Sequence, residues 1–344
     1  MHIAAATALY LGMVPTAQAA EGCAVFMGDI RFCHAEIGLE MAVQDDLLGG
    51  AFLQEADPED TIVYVYVSGT GRMATQTPES VLEEINSAYL ADADSVTETR
   101  KVLEARVIDA TPVPVMRTLR YRFSVDYGQV VAMTLVEVDG LTATILTVQG
   151  GVGEVFTDAH RTRHEAALSA LRIPRTDPGC FALYEGQQIC TAGTPWADFP
   201  PIYVDQILTM VDPDDPARDM LVAVTGPASP SRSFSGEEIA SFNRQLAQAD
   251  MPEITFSAET ETQVAGRTWQ VADFAARTSE GTQHIGRSST AIDGPLFVSL
   301  RTSRRGETFD PLPEDQISVH QNLRAAINPR PSGDDGWIGL ELKD

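Results

Sequence analysis

Apolar and polar residues alternate along much of this chain, and the alternation predicts strands. Thr61-Ile-Val-Tyr-Val-Tyr-Val67 is a β-branched and aromatic run that reads as a central strand. From Val96 to Gly150 the pattern is a meander. Val115, Leu119, Tyr121 and Phe123 share one parity, while Arg120 and Arg122 take the other. Asp126-Tyr127-Gly128 and Asp139-Gly140 supply its hairpin turns. Helical spacing intervenes twice. Thr77-Pro78-Glu79 opens a helix with Pro at its first position, followed by a stripe of Val81, Leu82, Ile85, Ala88 and Tyr89. A second helix spans Thr157 to Leu171, with Ala167, Leu168 and Leu171 on its buried face and Pro174 ending it.

The order then repeats. Asp212-Pro213-Asp214-Asp215 stands where Asp57-Pro58-Glu59-Asp60 stood, and Leu221-Val-Ala-Val-Thr225 is the next strand. Ser235 with Glu238 forms a capping box, ahead of a stripe of Ile239, Phe242 and Leu246. Asp293-Gly294 matches Asp139-Gly140, and Leu323 with Pro329-Arg330 matches Leu168 with Pro174-Arg175. The offsets stay within 154–157 residues, which predicts a duplication. The expected fold is therefore α+β. It comprises two tandem repeats, each an antiparallel sheet ordered hairpin, strand, helix, meander, helix, with helices packed on it. The expected domains are residues 20–173 and 179–330, joined by a short linker from Pro174 to Pro178. A tail, 331–344, follows; its Trp337–Leu342 stretch alternates and suits an edge strand.

The hairpins come from the cysteines. Cys23 and Cys33 have nine residues between them, as do Cys180 and Cys190, and these four are the only cysteines. A Gly precedes the first of each pair, and a turn-forming centre (Gly28-Asp29, Glu185-Gly186) lies midway. Opposed residues of a hairpin are within disulfide reach, so the expected bonds are Cys23–Cys33 and Cys180–Cys190. Zinc is the rival reading, but zinc ribbons leave two to four residues between ligands, not nine. Four free thiols, or a bridge between the repeats, would also fit the count.

Composition restricts the partners. The 344 residues are 44% hydrophobic and 21% charged, which is globular. The net charge is −25, with 24 acids and 11 bases in 1–173 and 25 acids and 13 bases in 174–344, so no acidic tail carries it. A polyanion repels nucleic acid and anionic membrane. Residues 1–19 read as a signal peptide: Ile3–Val14 is apolar but too short to span a bilayer, and Ala17-Gln18-Ala19 fits the cleavage rule. Paired cysteines point the same way, to an oxidising compartment. The expected location is the periplasm, with cleavage near Ala19 and no transmembrane segment.

Candidate chemistry is sparse. His160 and His164 stand one helical turn apart with Asp158 nearby, but the Glu that follows the first His of a zincin is missing. The expectation there is a helix face with one semi-buried His. Asp212, Asp214, Asp215 and Asp219 are oxygen ligands of a kind calcium takes, yet their spacing is not that of a calcium loop. They read as a solvated turn. Arg117, Arg120 and Arg122 cluster within an acidic chain. They either pair with neighbouring acids, such as Glu104 or Glu137, or grip an anionic partner with guanidinium forks. No Gly-x-Ser-x-Gly elbow occurs, and Ser68-Gly69-Thr70-Gly71 lacks the Lys of a phosphate loop. No catalytic residue, cofactor or metal is expected.

In this element order, repeated in both halves, the chain resembles the PsbP/DcrB-like α/β/α sandwich. The resemblance implies an antiparallel sheet with helices packed on it. It also implies an accessory, assembly or binding role, often in an exported protein, and it carries over no functional residue. The expected function is a non-enzymatic binding or assembly accessory protein of the cell envelope, with a protein or envelope component as partner. Two rival functions stand beside it: a periplasmic hydrolase with a site between the repeats, and a periplasmic immunity or inhibitor protein, whose negative charge would steer it to a basic target.

Overall fold

A computed structural model describes residues 22–45, 50–55, 61–69, 99–108, 110–111, 115–124, 129–149, 157–204, 206–225, 253–277, 281–294, 296–308, 311–332 and 336–342. The expected helices at 77–89 and 235–246 and the turns at 57–60 and 126–128 lie outside these residues. The chain divides into two compact units. One holds Ala19–Arg175 with Gly333–Asp344, and the other holds Thr176–Ser332.

The first unit begins with a small hairpin, β1 (Ala24–Val25) and β2 (Arg31–Phe32), and the Cys23–Cys33 disulfide closes its open end. Gly22 has φ +87°, and a Cβ there would sit 2.4 Å from the Ala35 Cβ. A glycine before the cysteine therefore answers both a backbone and a space requirement. The strands that follow are β3 (Leu39–Asp45), β4 (Gly50–Glu55), β5 (Thr61–Gly69), β6 (Thr99–Ile108), β7 (Ala110–Thr111), β8 (Val115–Ser124), β9 (Gln129–Val138) and β10 (Leu141–Gln149). Seven of them form an antiparallel sheet in the order β3-β4-β5-β10-β9-β8-β6. Strand β5 is interior, as expected, and its Val63, Val65 and Val67 are wholly buried with Ile145 of β10. Full burial of each such side chain contributes about 1.5–3 kcal/mol. The sequence pattern does not mark β3 and β4, which join the hairpin to β5.

Helix α1 (Asp158–Ser169) starts with its Thr157 side chain accepting from the His160 N–H. It is shorter than expected. Ala170 caps it, and Leu171–Pro174 is a strand, β11, that pairs with β2. Leu171 is thus buried as a strand residue and not on the helix face.

The second unit opens with β12 (Cys180–Ala182) and β13 (Gln187–Cys190), with Cys180 opposite Cys190 in register and bonded to it. Then come β14 (Ile202–Val204), β15 (Ile207–Val211), β16 (Asp219–Thr225), β17 (Glu253–Phe256), β18 (Thr260–Val264), β19 (Arg267–Arg277), β20 (Gln283–Asp293) and β21 (Leu296–Arg305). The large sheet runs β14-β15-β16-β21-β20-β19-β17, with β18 also on β19. Helix α2 (Glu314–Ala326) and β22 (Ile327–Pro329) follow, and β22 pairs with β13. Met220, Val222, Val224, Val298, Leu300 and Trp269 fill the core of this unit, and Leu323 brings α2 into it. Gly286 lies opposite Phe274; a Cβ there would meet the Thr302 carbonyl at 2.2 Å and the Phe274 ring at 2.6 Å.

Arg267 ties the edges of this unit together. It is 7% exposed; Nε donates to Asp293 Oδ2 at 2.7 Å, Nη2 to Gln187 Oε1 at 2.7 Å, and Nη1 to the Ile327 carbonyl. The last strands, β23 (Trp337–Gly339) and β24 (Glu341–Leu342), belong to the first unit, where β23 pairs with β11 and β24 with β7. The alternating tail does dock as an edge strand.

Candidate functional site

Each of the two described α-helices is pinned to its sheet by a histidine. His164 Nε2 lies 2.7 Å from Thr134 Oγ1 and its Nδ1 lies 2.8 Å from Thr147 Oγ1. One turn earlier, His160 Nε2 lies 2.9 Å from the Thr147 carbonyl. Both rings are buried, where the sequence suggested one half-buried ring, and Asp158 is exposed. These bonds use three of the four ring nitrogens, and all three face the sheet. His320 repeats the arrangement on α2: Nε2 lies 2.7 Å from Ser289 Oγ and Nδ1 lies 2.9 Å from Thr302 Oγ1. In a neutral ring one nitrogen donates and the other accepts, and a hydroxyl does either. Burial, with Arg324 and Arg287 nearby, holds His320 well below its ordinary pKa.

A serine, a histidine and an aspartate do come together in the second unit. Ser303 Oγ lies 2.7 Å from Asp219 Oδ1 and 2.7 Å from the Ala217 carbonyl, and His284 Nδ1 lies 3.4 Å away. The order is wrong for acyl transfer, which needs the imidazole between acid and nucleophile. Here the hydroxyl stands in the middle and gives its single proton to the carboxylate or the carbonyl. Ser303 is also 1% exposed. The cluster joins β16, β20 and β21. Burial lowers the His284 pKa, opposed by the nearby Asp219 charge. No short motif links these residues, and the sequence pattern singles out neither His284 nor Ser303. A hollow of ≈ 380 Å³ lies beside this end of the sheet, lined by Gly281, Thr282, Gln283, Arg305, Gly306 and Glu307.

The acidic turn is built of internal bonds. Asp212 Oδ1 accepts from the N–H groups of Asp214 (2.9 Å) and Asp215 (3.3 Å), and its Oδ2 accepts from Arg218. Pro213 and Asp214 are exposed, so the turn is solvated, while Asp212 at its base is buried. Arg305 pairs with Asp215. Elsewhere Arg324, 3% exposed, donates to Thr262 Oγ1 and lies over the Trp269 ring at 5.9 Å. Burial and the nearby Arg287 push it down to about 10, so it stays charged at neutral pH.

Arg117, Arg120 and Arg122 lie on β8. The register sets Arg120 opposite Glu104 of β6 and Ala132 of β9, and Arg122 opposite Lys101 and Val130. Arg117 stands opposite Val107 and Leu135, whereas Glu137 stands opposite Val115.

No known family and no curated protein matches the sequence. Among solved structures, the chain is similar to the PsbP protein CyanoP of Synechocystis sp. PCC 6803, with 9% identity and a TM-score of 0.30 over 45% of this chain and 90% of that one. It is also similar to the immunity protein TplEi of T6SS from Pseudomonas aeruginosa, with 10% identity and a TM-score of 0.35 over 86% of this chain and 98% of that one. A third is a protein of unknown function, PA94, from Pseudomonas aeruginosa, with 17% identity and a TM-score of 0.28 over 44% of this chain and 97% of that one. None of these likenesses is close enough to carry a function across.

Proposed function

We propose that this chain is an exported, non-enzymatic protein that binds another protein in the cell envelope, built from two copies of one α+β unit. The single observation that carries the reading is where the reactive side chains go. His160, His164, His320 and the His284–Ser303–Asp219 cluster each bond across helices and strands of their own unit. What remains to act at a distance is a net charge of −25, shared by both halves. Such a field steers a basic partner and speeds its encounter. An inhibitor or immunity role is the form of binding that would use this charge most directly.

The duplication is supported by geometry as well as spacing. Both large sheets have the same strand order, the small hairpins carry disulfides at matching places, and each helix sets a histidine between two hydroxyls of its own sheet. The disulfides also support export, since bonds of this kind persist in oxidising compartments. Among the described residues, no helix is long and apolar enough to cross a membrane.

Affinity capture from the envelope fraction at two ionic strengths tests the role. The expected result is a basic protein retained at low salt and released as salt rises. Turnover of small ester substrates, abolished by Ser303→Ala, would replace this reading with a hydrolase. Intact-mass analysis of the secreted form should show a start at Ala20; an unprocessed chain with reduced cysteines would remove export from the reading. Arg120 and Arg122 are the candidate contact surface within the first unit, for an acidic segment of the partner. Arg120→Ala with Arg122→Ala should weaken capture without moving the melting temperature. A lower melting temperature with capture intact would make them structural residues of the sheet, with Arg120 opposite Glu104 in the register.

A further inference from the structure

The two small sheets differ by one strand. Among the described residues, β12, β13 and β22 make a three-stranded sheet in the second unit; in the first, β1, β2 and β11 accept a fourth strand, β23 from the tail. The fourth strand is therefore an addition to a sheet that stands without it. The edges show why only one unit takes it. Leu171 pairs with Phe32, the residue before Cys33, and Ile327 pairs with Ile189, the residue before Cys190. Two residues on, Ile173 and Pro329 hold matching places. Arg175 donates its N–H to the Gly336 carbonyl at 3.0 Å, so residues of that parity, Ile173 included, face the tail. Arg330 donates inward to the Gly186 carbonyl, so Pro329 faces outward, where it offers no N–H. The outward carbonyl of Ile327 accepts from Arg267 and that of Leu171 from Arg172, so Pro329 is what sets the two edges apart. One edge is an acceptor and the other is closed.

We propose that the outer edge of β11 is a peptide-binding site, and that β23 occupies it in cis as a built-in competitor. Its ligand is an extended segment of a protein partner with an aromatic residue at the place of Trp337. Backbone pairing supplies the affinity, as in other cases of strand addition to a sheet edge. The aromatic specificity comes from Arg31, whose guanidinium lies 4.8 Å from the Trp337 ring centroid and is held by Asp29, itself wholly buried. The proposal deepens the binding role given above and rests on it.

The test uses a labelled synthetic peptide, Gly336–Asp344, and the chain ended at Ser332. The expected result is saturable binding, competed by unlabelled peptide, about tenfold weaker with Trp337→Ala in the peptide. Binding should be lost with Ile173→Pro in the chain. A shortened chain that melts cooperatively yet does not bind the peptide overturns the proposal. Should the shortened chain fail to fold, the full chain cleaved within 333–335 replaces it. Exchange of its retained tail for labelled peptide supports the site, and a tail that does not exchange overturns it. The envelope partner gives the last arm: release by saturating peptide joins the site to the binding role. A partner that stays bound overturns the proposal and leaves the binding role standing.

Discussion

His320→Ala lowers the stability of the second unit by about 3–5 kcal/mol, measured by urea unfolding at pH 7.5. The ring is wholly buried and is the shared partner of Ser289 and Thr302. Its truncation leaves a cavity and two hydroxyls short of a bond, and Gln316 reaches only one of them, Thr302. The loss corresponds to a fall in Tm of roughly 10 °C or more. Acid acts on the same residue. The native pKa lies below the unfolded value, because burial and two neighbouring guanidinium groups oppose the charge. The unfolded chain therefore takes the extra proton first. The contribution of His320 is present in full above about pH 6.5 and drains away as pH falls toward the native pKa, with a limiting slope of about 1.4 kcal/mol per pH unit. His284 adds to this in the same direction. His320→Gln, compared with the parent from pH 8 to 5, isolates the term. The two stability curves should converge as pH falls; parallel curves would mean that the ring has the same pKa in the native and unfolded chains.

Loss of the Cys180–Cys190 bond, as the double serine variant, costs about 3 kcal/mol, and loss of Cys23–Cys33 costs the same. Both bridges join residues ten apart, so the chain-entropy term is equal for the two. Unequal values from denaturant titration would show that one bridge also acts on the native state. The second unit is where such an excess should appear. Its hairpin holds Gln187 against Arg267 and Gln188 against Asp177 and Asn328, so a slack hairpin loosens a polar network. Thiol labelling of the parent under native conditions should find no reactive cysteine.

The strands that alternate cleanly were legible in the sequence: Thr61–Val67 and the runs on either side of Asp139-Gly140 fall where the pattern put them. Leu171 was misread because the helix and the next strand are separated by a single residue, Ala170, and an apolar residue just past a helix fits either period. β3 and β4 were missed because Met41–Leu53 carries a mixed pattern, with a register shift between Met41 and Val43. A bulge breaks the period of two on which strand assignment depends. The histidine pins had a signal that went unused. His164 and His320 are 156 apart, and Thr134 with Ser289, like Thr147 with Thr302, are 155 apart. Following the repeat for polar residues as well as for glycines and prolines would have placed all six. The Ser303–His284–Asp219 cluster had no such signal, since three strands bring it together.

Pro329 has a consequence for how many molecules can join. With the outward edge at Pro329 closed, the two small sheets of the described residues offer one acceptor edge, on β11, and β23 of the same molecule fills it. Through these two small sheets such a molecule has a valence of zero toward its own kind. If the tail were handed to a neighbour, every molecule would both give and receive, and the exchange would close as a two-fold dimer or lengthen into a line according to the rotation between neighbours. A hydrogen-bonding residue in place of Pro329 would add a second acceptor and turn a line into a branch. The proline thus sets the functionality of the monomer in the polymer chemist's sense.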